Sequence, residues 1–403
     1  MPWDVAAGII KHGDWDTLKA LSLVCRDFES EAGRYLWRTL NIHTLGQSYE
    51  EARQHVELKL GIVRKRVRDI REVSLGMYSG YCFYWRSGQD IPVVVSELFS
   101  LLSTARLTQL SVNLDTYGAA LAPCLRDFRL PSTLKQLTFC NGIQPNLGFL
   151  RPCLQNLESL TLRTSSSVVN NVLEPLMDGS ALPQLRHLEV DRAGQLSSLR
   201  NCVLPALEEL SVVALCRDGL HNALLDFLLS QSPSNRRACH PTQPPHSAPL
   251  RHLSLRVTHK ADARPSPSML YEGLFLRPSI VASGVLAHIQ TLTVAHELFS
   301  AEHVQTAALS ELFHSLRELC QLTWDVVLDS MYHRERVDIG SDVLRKAFRL
   351  DKVSGQTRMR EITIRAMLWH GIPPTSSWVR RYVGFGPSTS AEQSWTVVDE
   401  TRS

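Results

Sequence analysis

The sequence predicts an α/β protein: a short helical block, then a solenoid of strand-plus-helix units with a curved parallel sheet inside and helices outside. Two features point there. The pattern apolar-x-x-apolar-x-apolar recurs ten times between Ile70 and Ile364, and several segments between copies carry apolar residues at helical spacing. A unit of one strand and one helix cannot cover its own apolar face, whereas stacked units bury a continuous core.

Residues 1–45 form the helical block. Pro2 suits a first helical turn and Asp4 favours the amino end of a helix. Gly8 costs a helix interior about 1 kcal/mol relative to Ala. Gly13-Asp14 then breaks this helix. Asp16 is the expected N-cap of a second one, DTLKALSLVCRDF, whose Leu18, Leu21, Val24 or Cys25, and Phe28 share a face. Tyr35, Leu36, Trp37 and Leu40 point to a short third helix running into a strand-like Leu40-Asn41-Ile42. On this reading Val24 and Cys25 look buried and Trp37 looks exposed.

Residues 46–371 form the repeat domain. The copies begin at Ile70, Leu107, Leu134, Leu157, Leu185, Leu207, Leu250, Ile289, Leu319 and Met359, with 22 to 43 residues from one to the next. Their last apolar pair alternates with a polar residue, the period of two that a half-buried strand requires. Helices are expected over Val94–Leu107, Leu220–Gln231 and Thr306–Leu319. Segments rich in Pro and Ser near 230–249 and 259–270 read as loop insertions, and 372–403 as a loosely ordered tail.

The ten copies resemble the strand motif of the leucine-rich repeat family. The block before them resembles the F-box. Met1-Pro2-Trp3-Asp4-Val5 matches that motif's opening, Leu21-Ser22-Leu23-Val24-Cys25-Arg26-Asp27-Phe28 its second part, and Leu36-Trp37-Arg38-Thr39-Leu40 its exit. Ala6 stands where the family carries a larger aliphatic. Together the two parts resemble fungal-type F-box proteins with leucine-rich repeats. That resemblance implies a non-catalytic, substrate-recruiting subunit of an SCF-type ubiquitin ligase. Met1, Pro2, Ile9, Leu18, Leu21, Val24 and Trp37 would bind, or support binding of, the small adaptor that links to a cullin. The alternative is a repeat scaffold whose F-box-like block is only a structural cap.

Composition narrows the chemistry. A net charge of +3 and a pI near 8.4 are too mild for a polyanion surface, so no nucleic-acid partner is expected. The run Arg64-Lys65-Arg66-Val67-Arg68 reads as a solvated helix end. Nine scattered cysteines lack any zinc-type spacing and suit reduced thiols, so a cytoplasmic or nuclear location is expected, without cofactor, metal or membrane. No GxSxG, HExxH, P-loop or GxGxxG motif occurs in a supporting context, and the chain is not expected to be an enzyme. His296-Glu297-Leu298-Phe299-Ser300-Ala301-Glu302-His303 lacks metal-ligand spacing and reads as surface.

The repeats also define a face. The central strand position is Ser or Thr in nine of ten copies, Glu189 being the exception. The flanking positions vary in charge, which points to an unidentified protein ligand with its own charge pattern. His187, Asp191, Arg256, Asp325 and Arg365 are the candidate substrate-binding residues.

Overall fold

The computed structural model describes residues 8, 10–44, 47, 49–77, 90–113, 128–140, 151–163, 182–200, 202, 204–213, 220–231, 250–257, 277–297, 316, 318–329, 361–369, 376–384 and 395–402. The chain divides near residue 185 into two compact units.

The first unit opens with helices α1 (Trp15–Ser22) and α2 (Arg26–Leu36). The N-cap of α1 is Asp14 rather than the expected Asp16, which falls in the first turn. The Asp14 carboxylate accepts the Thr17 N–H at 2.8 Å. That bond holds its pKa below the usual carboxylate value. The single helix expected over Asp16–Phe28 is two. Helix α1 ends at Ser22, and Cys25 is an extended N-cap for α2, whose first turn carries Asp27 and Glu29 at the favourable end of the dipole. The expected third helix is the last turn of α2, which ends at Leu36. Ile10, Leu18, Ala32 and Leu36 form a buried cluster, against which Leu21, Phe28, Tyr35 and Trp37 pack.

Strand β1 (Thr39–His43) follows at once, then α3 (Tyr49–Arg66), β2 (Glu72–Gly76), α4 (Asp90–Leu102), β3 (Gln109–Asn113), β4 (Gln136–Cys140) and β5 (Ser159–Arg163). All five strands are parallel neighbours in sequence order. The repeat therefore begins one unit earlier than Ile70. Trp37-Arg38-Thr39-Leu40-Asn41-Ile42 is an eleventh copy, hidden because Trp stands where later copies carry Leu, Ile or Met. Helix α3 carries the basic run in its last turn, where Arg64 forms a forked pair with Glu97 at 2.6 and 2.8 Å and Arg66 meets Glu29 at 3.0 Å. Gly33 lets α2 approach there: a Cβ would lie 3.3 Å from the Arg66 guanidinium.

The second unit holds β6 (His187–Val190), α5 (Ala193–Leu199), β7 (Glu209–Val213), α6 (Leu220–Ser230), β8 (His252–Val257), α7 (Pro278–Ser283), β9 (Thr291–Glu297), β10 (Gln321–Asp329) and β11 (Glu361–Trp369). These six strands are again parallel and in sequence order. Helix α7 starts on a proline and stops at Gly284, whose φ of 65° is a left-handed end that other residues adopt with strain. The expected helix over 306–319 lies largely outside the described residues, as do nearly all of 230–249 and the whole of 259–270.

The segment expected to be a loose tail contains two strands instead. Strands β12 (Ser376–Gly384) and β13 (Trp395–Arg402) add antiparallel to β11. The register sets Arg380 opposite Glu400 and Arg381 opposite Asp399, with an irregularity between Arg381 and Tyr382.

One backbone device recurs at the parallel steps from β1 to β5 and from β6 to β10. The carbonyl of the second repeat residue accepts two N–H groups of the next unit. Arg38 accepts from Arg71 and Glu72 at 2.8 and 3.0 Å, Arg71 from Thr108 and Gln109, and Thr108 from Lys135 and Gln136. In the second unit Arg186, Glu208, Arg251 and Gln290 do the same. Behind this ladder the leucines stack in register: Val73, Leu110, Leu137 and Leu160 in one unit, Leu188, Leu210, Leu253 and Leu292 in the other, all buried.

Candidate protein-interaction surfaces

Two surfaces emerge. The first is the turn between α1 and α2. Closing α1 on α2 buries Leu18 and half-buries Leu21, so both belong to the interior of the block. The same closure turns Leu23 and Val24 outward, 81% and 65% exposed. A hydrogen bond from the Val24 N–H to the Leu21 carbonyl at 3.0 Å fixes the turn. Cys25, expected inside, is exposed. Trp37, expected outside, is half-buried against the helical cluster and begins the first repeat. Met1, Pro2 and Ile9 lie outside the described residues. Leu23 is the residue the helical reading missed. The sequence signal for it is Asp27 and Glu29, acids that mark a new helix start just after Val24-Cys25.

The second surface is the strand face opposite the leucine ladder. The small polar column is in register as the repeats require. Ser74, Ser111, Thr138 and Thr161 are lateral neighbours in the first unit. Ser211, Ser254, Thr293, Thr323 and Thr363 continue from Glu189 in the second. Around this column lie charges held by one another. Glu72 accepts from Arg38 at 3.1 Å and from Thr39 at 3.0 Å, and Lys135 donates to Glu158 at 2.7 Å.

Of the five candidate substrate residues, register brings three together. Arg256, Asp325 and Arg365 occupy one lateral row across β8–β11, with Ala295 between the first two. His187 lies in a different row, where its Nδ1 is 3.0 Å from a Glu209 carboxylate oxygen. Asp191 falls one residue past β6 and is buried. Its carboxylate accepts the Gln195 side-chain amide at 3.2 Å, and the Gln195 carbonyl oxygen accepts the Asp191 and Arg192 N–H groups. Asp191 thus serves the start of α5.

Among the described residues no cluster of three His, Cys, Asp or Glu side chains is arranged to hold a metal. His296 and Glu297 lie on β9, and the rest of that stretch lies outside the described residues. Burial pushes the Cys153 thiol up to about 12, which leaves it a packing residue rather than a nucleophile. No helix among the described residues is long and apolar enough to cross a membrane.

No family model and no curated protein matches the chain. Among solved structures, the leucine-rich repeat-containing protein LegL7 from Legionella pneumophila is similar at a TM-score of 0.38 and 14% identity, over 83% of this chain and 94% of that one.

Proposed function

We propose that this chain is a non-catalytic protein-recruiting subunit of an SCF-type ubiquitin ligase. The strand face would hold a substrate protein, and the α1–α2 turn would hold the small adaptor that links to a cullin. Catalysis would belong to the partner enzymes, and this chain would raise the effective concentration of a substrate lysine. The observation that carries the proposal is the exposed pair Leu23 and Val24 at the tip of an otherwise closed helical block. Two adjacent apolar side chains held outward by a hydrogen-bonded turn have the character of a docking anchor. They fall inside the stretch that resembles the F-box.

A second reading, a repeat-based interaction scaffold with the block as a cap, has its own support. Leu18, Leu36 and Trp37 face the block's own cluster, and Trp37 fills the first place of a repeat. The two readings part on one experiment. The full chain is used to capture adaptor and cullin from a eukaryotic extract, beside Leu23→Asp/Val24→Asp. Capture by the parent and loss in the variant, with an unchanged melting curve, supports the adaptor role. Failure of the parent to capture either protein, where a known F-box protein captures both, leaves the scaffold.

A further inference from the structure

Four consecutive turns lead into β2, β3, β4 and β5, and each carries basic side chains at the same edge of the first unit's sheet. Lys65 and Arg68 precede β2, Arg106 precedes β3, Arg129 precedes β4 and Arg151 precedes β5, and all five are exposed. The Arg71 carbonyl meets Thr108 and Gln109, that of Thr108 meets Lys135 and Gln136, and that of Lys135 meets Glu158 and Ser159. These contacts set the four turns side by side. Phe128 packs on Phe99 with ring centres 4.6 Å apart, which holds the segment carrying Arg129 against the end of α4. At one strand spacing per step, about 4.8 Å, the strip runs about 14 Å.

Basic residues at helix ends ordinarily serve a nearby carboxylate or the last carbonyls of the helix. At this edge other side chains already do so. Glu72 is held by Arg38, Glu158 by Lys135, Glu97 by Arg64 and Glu29 by Arg66, which also lies 3.9 Å from Asp69. Arg71 donates to the carbonyls of Arg68 and Ile70 at 2.6 and 2.9 Å. Ser103 and Thr104 donate to those of Ser100 and Leu101, Thr133 to that of Leu107, and Asn156 to that of Ser132. Among the described residues, no carboxylate or carbonyl pairs with the side chains of Lys65, Arg68, Arg106, Arg129 or Arg151. The basic run at the end of α3 is thus divided: Arg64 and Arg66 hold the fold, and Lys65 and Arg68 join the unpaired strip.

We propose that this edge of the first unit binds a carboxylate-rich segment of a partner protein, whose acids supply the counter-charges. An extended peptide laid along the strip turns alternate side chains to it every 6.6 Å or so, and about three acids span its length. A single-stranded nucleic acid would call for exposed rings on which bases stack. The one aromatic ring among the described residues of these turns, Phe128, is buried. The strip lies where the strands begin and belongs neither to the strand face nor to the α1–α2 turn.

The test uses the full chain and a labelled peptide of about twelve residues alternating Glu and Ser, read by fluorescence anisotropy at about 0.15 M salt. The parent should bind the peptide, and binding should weaken as salt is raised. Arg68→Glu/Arg106→Glu should weaken it at least tenfold with an unchanged melting curve, and Arg129→Glu/Arg151→Glu, at the other end of the strip, should weaken it as well. Lys11→Glu/Lys19→Glu makes the same change in net charge at exposed positions of the helical block, and should stay within about threefold of the parent. Absence of binding by the parent overturns the proposal. So does an equal loss in the strip variants and the Lys11/Lys19 variant, which would reduce the effect to net charge. Tighter binding of a single-stranded oligonucleotide of the same charge overturns the choice of a protein segment.

Discussion

Replacing Leu23 and Val24 with Asp separates docking from folding. Fully burying a side chain of this kind contributes about 1.5–3 kcal/mol. With Leu23 at 81% and Val24 at 65% exposure, the free chain realises only a small part of that, about 0.8–1.6 kcal/mol for the pair together. The remainder, about 2.2–4.4 kcal/mol, becomes available only when a partner covers them. At 1.4 kcal/mol per decade the lower end corresponds to a loss of about 40-fold in adaptor affinity. Isothermal titration with purified adaptor reads that loss, and a thermal melt reads stability. Leu18→Ala is the contrast: Leu18 is 7% exposed inside the helical cluster, so it should cost about 2–5 kcal/mol of stability. An affinity unchanged within threefold in the double Asp variant would refute the docking argument. A melt lowered as far as that of Leu18→Ala would show that the turn belongs to the core.

Other outcomes follow from the same geometry. Leu210→Ala removes a fully buried member of the ladder between Leu188 and Leu253, and should cost about 2–5 kcal/mol in a denaturant titration. Arg64→Ala removes a forked pair whose members are both half-exposed, and should cost about 1 kcal/mol or less in the same titration. His55 has a folded pKa below its ordinary 6.5, because of burial first and then of Lys59 and His43 nearby. The unfolded chain therefore binds the extra proton, and this contribution lowers stability as pH falls through 6.5 while leaving it unaffected above. The stability of the parent relative to His55→Gln, measured by urea titration between pH 7.5 and 5.5, should decline on acidification. Iodoacetamide at pH 8 should label exposed Cys25 in the native chain and leave Cys153, its thiol pushed up to about 12, unmodified until unfolding; peptide mapping reads both.

The strands were legible because each couples a period-two alternation to a leucine two residues upstream, and register then follows from stacking like on like. The first strand was less so, since Trp37 disguises the leading leucine. A further signal went unread: most strands are preceded by an apolar residue three places before that leucine. Leu182, Leu204, Leu286 and Leu316 are all buried, and each carbonyl accepts the N–H of Leu185, Leu207, Ile289 or Leu319 to close a turn. In the helical block, periodicity identified the helical residues but not the break. Leu18, Leu21 and Phe28 satisfy one continuous face, and the acids of α2 that mark the restart are a weaker signal than that face. Strands β12 and β13 were invisible for another reason. They carry no copy of the repeat, and the opposition of Arg380 to Glu400 and of Arg381 to Asp399 is visible only once the antiparallel register is known. The row Arg256, Asp325, Arg365 was readable from the repeat alone, because register fixes it. Asp191 has the same offset in its copy, but β6 ends at Val190 and the side chain goes to Gln195.

The doubled carbonyl contacts have a consequence for how such a chain changes over time. In these contacts each copy meets its successor through main-chain atoms, and the residue supplying the doubled acceptor is Arg, Thr, Lys, Glu or Gln. The carbonyl does not depend on the side chain at that position, so this part of the joint is the same from copy to copy, while pairs such as Arg38–Glu72 and Lys135–Glu158 are particular to their own steps. Duplication or excision of a whole copy leaves the main-chain part of the junction intact, so the number of copies, and with it the length of the strand face, can vary with compensation confined to such side-chain pairs.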